Sequence, residues 1–159
     1  MYTVHAIPAE VVADLLNADD AGHPPELSTD AEGGAPLRCC LRRAAPGDRI
    51  ALVAYEPLRR WSAETGANPG PYLERGPVFV HASPCGGPAA GEPGYLGEAE
   101  RVFRRYDRDG RILGGRRIDR GETHREVFAE MFADPGVALV HVRAVEYGCF
   151  LYEARRDSA

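Results

Sequence analysis

The stretch Gly76–Cys85, GPVFVHASPC, decides how the rest of the chain is read. Pro77 and Pro84 bound a short run that holds the β-branched pair Val78 and Val80 around Phe79 and is too short for a helix. The run reads as a central strand anchored in the core by Val78 and Val80. Side chains alternate along a strand, so Phe79 and His81 belong to its other face. His81 ends the strand. Pro84 favours a turn that brings Cys85 back toward the imidazole. The pair His81 and Cys85 is therefore expected to border the main concavity, without a bound metal.

A strand of this kind needs partners. Upstream, LRCCLRR (37–43) and RIALVAYEP (49–57) read as strands joined through a turn on Pro46-Gly47-Asp48. On the alternation of a strand, Cys39 falls with Leu37 and Leu41 in the core. Cys40 falls between Arg38 and Arg42 on the polar face. Two cations beside a thiol lower its pKa, so Cys40 is expected to be the most acidic of the four thiols. Downstream, RVFRRYDRDGRILGGRRID reads as a hairpin over the DRDG turn. As a calcium loop it fails, because its glycine comes too early and the twelfth-position glutamate is missing.

THREVFAEMFADPG is the clearest helix. Thr123 and Glu126 make a capping box, and His124, Val127, Phe128, Met131 and Phe132 share a face. His124 reads as a packed or capping histidine. The last hairpin is GVALVHVRAV and CFLYEARR around Glu146-Tyr147-Gly148. A three-residue turn there puts His141, Arg143, Cys149 and Glu153 on one face. IPAEVVADLL supplies a short N-terminal helix with Val11, Val12, Leu15 and Leu16 at helical spacing. Residues 21–36 read as a loop. Residues 57–77 read as a long loop with one helical turn near Leu58–Thr65, and SPCGGPAAGEPG (83–94) as another loop.

The expected fold is α+β, with about six mostly antiparallel strands in one curved sheet or partial barrel and two short helices packed on it. The whole chain, residues 1–159, is expected to be a single domain. A hydrophobic fraction of 44% and a charged fraction of 27% are those of a soluble globular protein. The N-terminus has no basic region ahead of its apolar residues, so it does not read as a signal peptide, and a cytoplasmic location is expected. No apolar run approaches a membrane span. A net charge of −5 disfavours nucleic acid and anionic membrane as partners. Eight arginines lie between Arg101 and Arg120, but Asp107, Asp109 and Asp119 interleave with them, and they read as a solvated, charge-balanced hairpin.

All 19 basic residues are arginine. Schiff-base chemistry and a Walker A lysine are thereby excluded. No G-x-S-x-G elbow and no G-x-G-x-x-G after a strand occur. Cys39, Cys40, Cys85 and Cys149 show no C-x-x-C spacing, so no zinc ribbon or thioredoxin motif is present. Glu56 and Glu146 are the best-placed carboxylates for acid-base work, and neither has a partner at meaningful spacing.

The chain resembles DUF1203, a bacterial domain of unknown function of about this length. The resemblance covers nearly all of the chain. It is carried by PLRCCLRRAAPGDRIALVAYEP, GPYLERGPVFVHASPC, the YDRDGRI hairpin and VALVHVRAVEYGCF. Pro36, Arg38, Cys40 and Leu41 fall on the family's Pro-Cys-Arg-x-Cys-Leu pattern, and Leu37 departs from it where cysteine is frequent. Any ligand or redox role of that first cysteine is absent here. The resemblance implies a fold and no activity.

Two functions remain open, and enzyme or non-enzyme is not decided between them. The first is a binding module whose concavity, lined by Arg38, His81, His141, Arg143 and Cys149, takes a small anionic ligand or a partner. The second is a Cys/His-dependent enzyme or redox-sensing protein, metal-assisted or not, with Cys40, His81 and Cys85 as the catalytic candidates. Zinc would accept Cys₂His₂ or Cys₃His, but the ligands come from three separate segments without a knuckle. No metal, no cofactor and no particular oligomeric state is expected from the spacing.

Overall fold

The computed structural model describes residues 1–89, 100–119 and 121–158. The expected loop 83–94 therefore lies outside the described residues from 90 onward. The architecture is α+β. Among the described residues it has three α-helices and two five-stranded, mostly antiparallel sheets, neither a closed barrel. One sheet of about six strands with two helices was expected. The chain instead forms two units: Met1–His5, Glu56–Glu74 and Glu98–Ala159 in the first, Ala6–Tyr55 and Arg75–Gly97 in the second. Alternation identifies strands and their faces, but pairing partners are set by contacts distant in sequence, and these separate the strands into two sets.

Unit 1 is built on the order β1-β10-β9-β7-β8, with β1 Tyr2–His5, β7 Arg101–Tyr106, β8 Ile112–Ile118, β9 Leu139–Ala144 and β10 Phe150–Arg156. Every neighbouring pair is antiparallel. One face carries Tyr2, Phe103, Val140, Val142 and Tyr152. Helix α3, His124–Phe132, lies against it, with Phe128 5.1 Å from Phe103 and 5.2 Å from Tyr2 between ring centroids. The capping box forms as the sequence predicts: the Thr123 hydroxyl accepts from the Glu126 N–H, and Glu126 accepts from the Thr123 N–H. Helix α2, Pro57–Thr65, covers the other face, where Leu58 and Trp61 pack with Tyr106 and Leu139. The sequence allowed one helical turn in this segment. Pro57 at the first position and Gly66 in the left-handed conformation at its end delimit a full helix.

Unit 2 has the order β2-β5-β6-β3-β4, with β2 Glu26–Asp30, β3 Pro36–Leu37, β4 Arg42–Arg43, β5 Asp48–Tyr55 and β6 Gly76–His81. GPVFVH is a central strand, as expected. It pairs antiparallel with β5 and parallel with β3. Val78 and Val80 face Val53 and Ala51 across the ladder, and all four are buried. Helix α1, Ala9–Asn17, packs on β5 through buried Val12 and Leu15. The 21–36 segment, read as a loop, contains β2. Its sequence, ELSTD, is nearly all exposed and lacks apolar alternation, so an edge strand there leaves no periodic signal.

LRCCLRR is the clearest departure. Only Leu37 and Arg42–Arg43 within it are strand. Residues 38–41 are a tight turn closed by the Leu41 N–H on the Leu37 carbonyl at 3.0 Å. Leu41 takes a positive φ of 55° to make it. The alternation argument for Cys39 and Cys40 therefore fails. In the last hairpin, residues 145–148 form the loop, because Ala144 donates to the Cys149 carbonyl and Gly148 to the Ala144 carbonyl. Cys149 thus faces Ala144, which alternation sets on the opposite side of the sheet from Arg143. An irregularity between Phe150 and Tyr152 restores Glu153 to its place opposite His141. No helix among the described residues is long and apolar enough to cross a membrane.

Candidate functional site

The 38–41 turn sits beside the end of β6, because Arg38 donates its backbone N–H to the Phe79 carbonyl at 2.9 Å. In a strand the two thiols would diverge. On this turn both converge on one imidazole: His81 Nδ1 is 3.5 Å from Cys39 Sγ and 3.8 Å from Cys40 Sγ. Both cysteines are buried. The His81 backbone N–H also donates to Cys39 Sγ at 3.2 Å. The chain then turns through residues 82–84, and the half-buried Cys85 joins the group. One ligand atom from each of Cys39, Cys40, His81 and Cys85 lies within 4.8 Å of every other.

A carboxylate stands behind the imidazole and a guanidinium beside one thiol. His81 Nε2 stands 3.4 Å from Asp48 Oδ2, and the same oxygen accepts from the Ala45 N–H at 2.8 Å. The Arg42 guanidinium donates to the Cys40 side chain, which raises its own pKa. Burial pushes the Cys39 thiol far up, against the opposing effect of the His81 N–H, and the nearby thiols push it further. A cation among them would reverse that balance, because a coordinating thiol is deprotonated.

The residues expected to line one concavity fall in different units. Arg38 and His81 belong to unit 2. His141, Arg143 and Cys149 belong to unit 1. Arg38 is buried, and its guanidinium donates to the Pro36 carbonyl. His141 is fully buried between Tyr106 and Phe150, with ring centroids 4.7 and 5.0 Å away. Its Nε2 is 3.3 Å from Glu153 Oε2. Burial holds the His141 pKa below its ordinary value, against the Glu153 carboxylate, which raises it. Burial pushes Glu153 up, but His141 and Arg155 outweigh it and hold the carboxyl below the usual range. His124, read as a packed residue, is one: Nδ1 is 2.7 Å from the Tyr152 hydroxyl.

A model of the family described as Protein of unknown function (DUF1203) matches residues 34–156. The chain belongs to this family. No curated protein and no solved structure matches it. The DUF1203 match takes in all four members of the Cys/His group and also His141, Arg143 and Glu153, whereas β1 and α1 lie before it. Leu37, the departure from the DUF1203 pattern, is fully buried on β3, and the thiols of this segment come from Cys39 and Cys40. Sequence reasoning missed Cys39 and Asp48 as members of the site. Two adjacent cysteines beside a conformationally unmarked turn gave no sign of convergence, and Asp48 read only as a turn residue.

Proposed function

We propose that unit 2 is a metal-binding module, holding one thiophilic divalent cation such as zinc through Cys39, Cys40, His81 and Cys85. The observation that carries this is the convergence of three thiols and one imidazole nitrogen within 4.8 Å. In a tetrahedral zinc site, bonds of about 2.3 Å to sulfur and about 2.0 Å to nitrogen leave ligand atoms roughly 3.3–3.8 Å apart. A contraction of at most about 1.5 Å closes the group to that size. The separate segments that argued against zinc are drawn together by the 38–41 turn and the 82–84 turn.

The residues behind the four side chains favour the same reading. A ligating histidine commonly directs its other ring nitrogen to a carboxylate, which fixes the ring and raises its basicity. Asp48 stands at that position behind His81. Three thiolates and a divalent cation carry a net charge of −1, which the Arg42 guanidinium on Cys40 offsets. Four protein ligands fill a tetrahedron, so the role is structural or regulatory rather than hydrolytic. This departs from the expected metal-free pair of His81 and Cys85. It also departs from the concavity reading, whose Arg38 is engaged with Pro36.

Cobalt(II) substitution tests the proposal. Protein purified under reducing conditions, stripped and titrated with cobalt, should give thiolate-to-cobalt charge-transfer bands and tetrahedral d–d bands at one equivalent. Cys85→Ser should weaken the charge-transfer bands. Octahedral cobalt spectra, or none, would overturn the assignment.

A further inference from the structure

Arg104 on β7 and Arg143 on β9 lie on the face of the unit 1 sheet that also carries His141, with Arg104 directly across from His141 in the register. Both guanidiniums reach the same carboxylate. Arg104 Nη1 is 2.6 Å from Glu74 Oε1, and Arg143 Nη2 is 2.9 Å from Glu74 Oε2. Each arginine takes one oxygen, so both carboxylate oxygens are held by charge-assisted contacts.

The two halves of this contact are unequal. The Arg143 side chain is only 9% exposed and is fixed by a second bond, Nη1 to the Gly148 carbonyl at 3.0 Å. Glu74 is 44% exposed and follows the short 3₁₀ turn Gly70–Tyr72 in an irregular segment. A buried cation is costly to leave uncompensated, whereas an exposed glutamate costs little to return to water. The neighbouring acid, Glu153, is already committed: its Oε1 is 2.6 Å from Arg155. Beside the pair, His141 Nδ1 is fully buried and has no hydrogen-bond partner among the described residues. Unpartnered buried nitrogens of this kind are rare in folded proteins.

We propose that Arg104, Arg143 and His141 form a binding site for a small carboxylate ligand, and that Glu74 is the internal carboxylate that fills it when no ligand is bound. The ligand's carboxylate takes the position of the Glu74 side chain, one oxygen on each guanidinium. The register sets Arg104 directly across from His141, and Arg143 two residues along the same strand, so a carboxylate held by the pair binds beside the His141 residue. Glu74 then returns to solvent. The site belongs wholly to unit 1, and its assignment stands or falls independently of the metal in unit 2.

The test uses the whole chain with succinate as the probe, by calorimetric titration at low ionic strength. Glu74→Ala removes the competing carboxylate and should bind succinate at least tenfold more tightly than the wild type. Adding Arg104→Gln to that variant should remove the gain. Arg104 is the more exposed arginine, so this substitution spares the fold. In Glu74→Ala, the His141 ring resonances should move on succinate addition. Equal succinate affinity in wild type and Glu74→Ala would overturn the proposal, as would a gain that survives Arg104→Gln. Tighter binding of inorganic phosphate than of succinate would overturn its assignment to carboxylates.

Discussion

In the proposed metal site, Asp48 is the residue that would distinguish a ligating His81 from an ordinary strand-end histidine. Its Oδ2 faces His81 Nε2 while the thiols face Nδ1. Asp48→Asn keeps the shape and removes the charge that orients and polarises the ring. Zinc affinity should fall by about 10–100-fold, the usual effect of losing such a partner; competition with a chromophoric chelator measures it. An unchanged affinity would mean that His81 does not ligate. His124 makes a different prediction. Burial, with Arg101 nearby, lowers its pKa to about 4 from an ordinary 6.5. The folded state thus resists protonating it. Its contribution to stability is complete above pH 6.5 and is lost as pH falls through about 4. His141, also lowered, acts in the same direction. His124→Gln can keep a bond to the Tyr152 hydroxyl without titrating. Urea unfolding between pH 7 and 4 should therefore be less steeply pH-dependent in the variant than in the wild type. Parallel curves would contradict the assignment.

Among the elements, α3 is the one whose energetics follow most directly from its sequence. Phe128 is buried against Phe103, Tyr2 and Tyr152, and Phe128→Ala should cost about 3–5 kcal/mol in urea unfolding. A loss below about 1 kcal/mol would mean the helix does not dock where it is described. This element was legible because its apolar spacing and both caps are local. So were the β7–β8 hairpin over DRDG and the central strand at Val78–Val80. The 38–41 turn was not legible, because Leu41 adopts its positive φ without glycine or asparagine to announce it. β2 was hidden by polarity. The last hairpin was half legible: Glu153 is opposite His141 as alternation predicts, but the loop 145–148 carries Cys149 across from Ala144.

At the scale of the molecule, each sheet is assembled from strands far apart in the chain. β1 pairs with β10, and β7 sits beside β9 with α3 between them in sequence. Local patterns identify such strands without saying how many sheets they make. The same limit applied to the site. His81 and Cys85 were legible as a pair because Pro84 turns the chain between them, whereas the arrival of Cys39 and Cys40 depends on the parallel pairing of Leu37 with Phe79. Cys39, Cys40, His81 and Cys85 are proposed to hold one metal ion between them. Elemental analysis of the protein purified under reducing conditions and equilibrated with zinc decides whether they do. The expected result is one zinc per chain, reduced to a small fraction in a Cys39→Ser, Cys85→Ser variant, with three thiols protected from alkylation until chelator is added. Metal-free protein after equilibration, with all four thiols alkylated at the same rate with and without zinc, would contradict it.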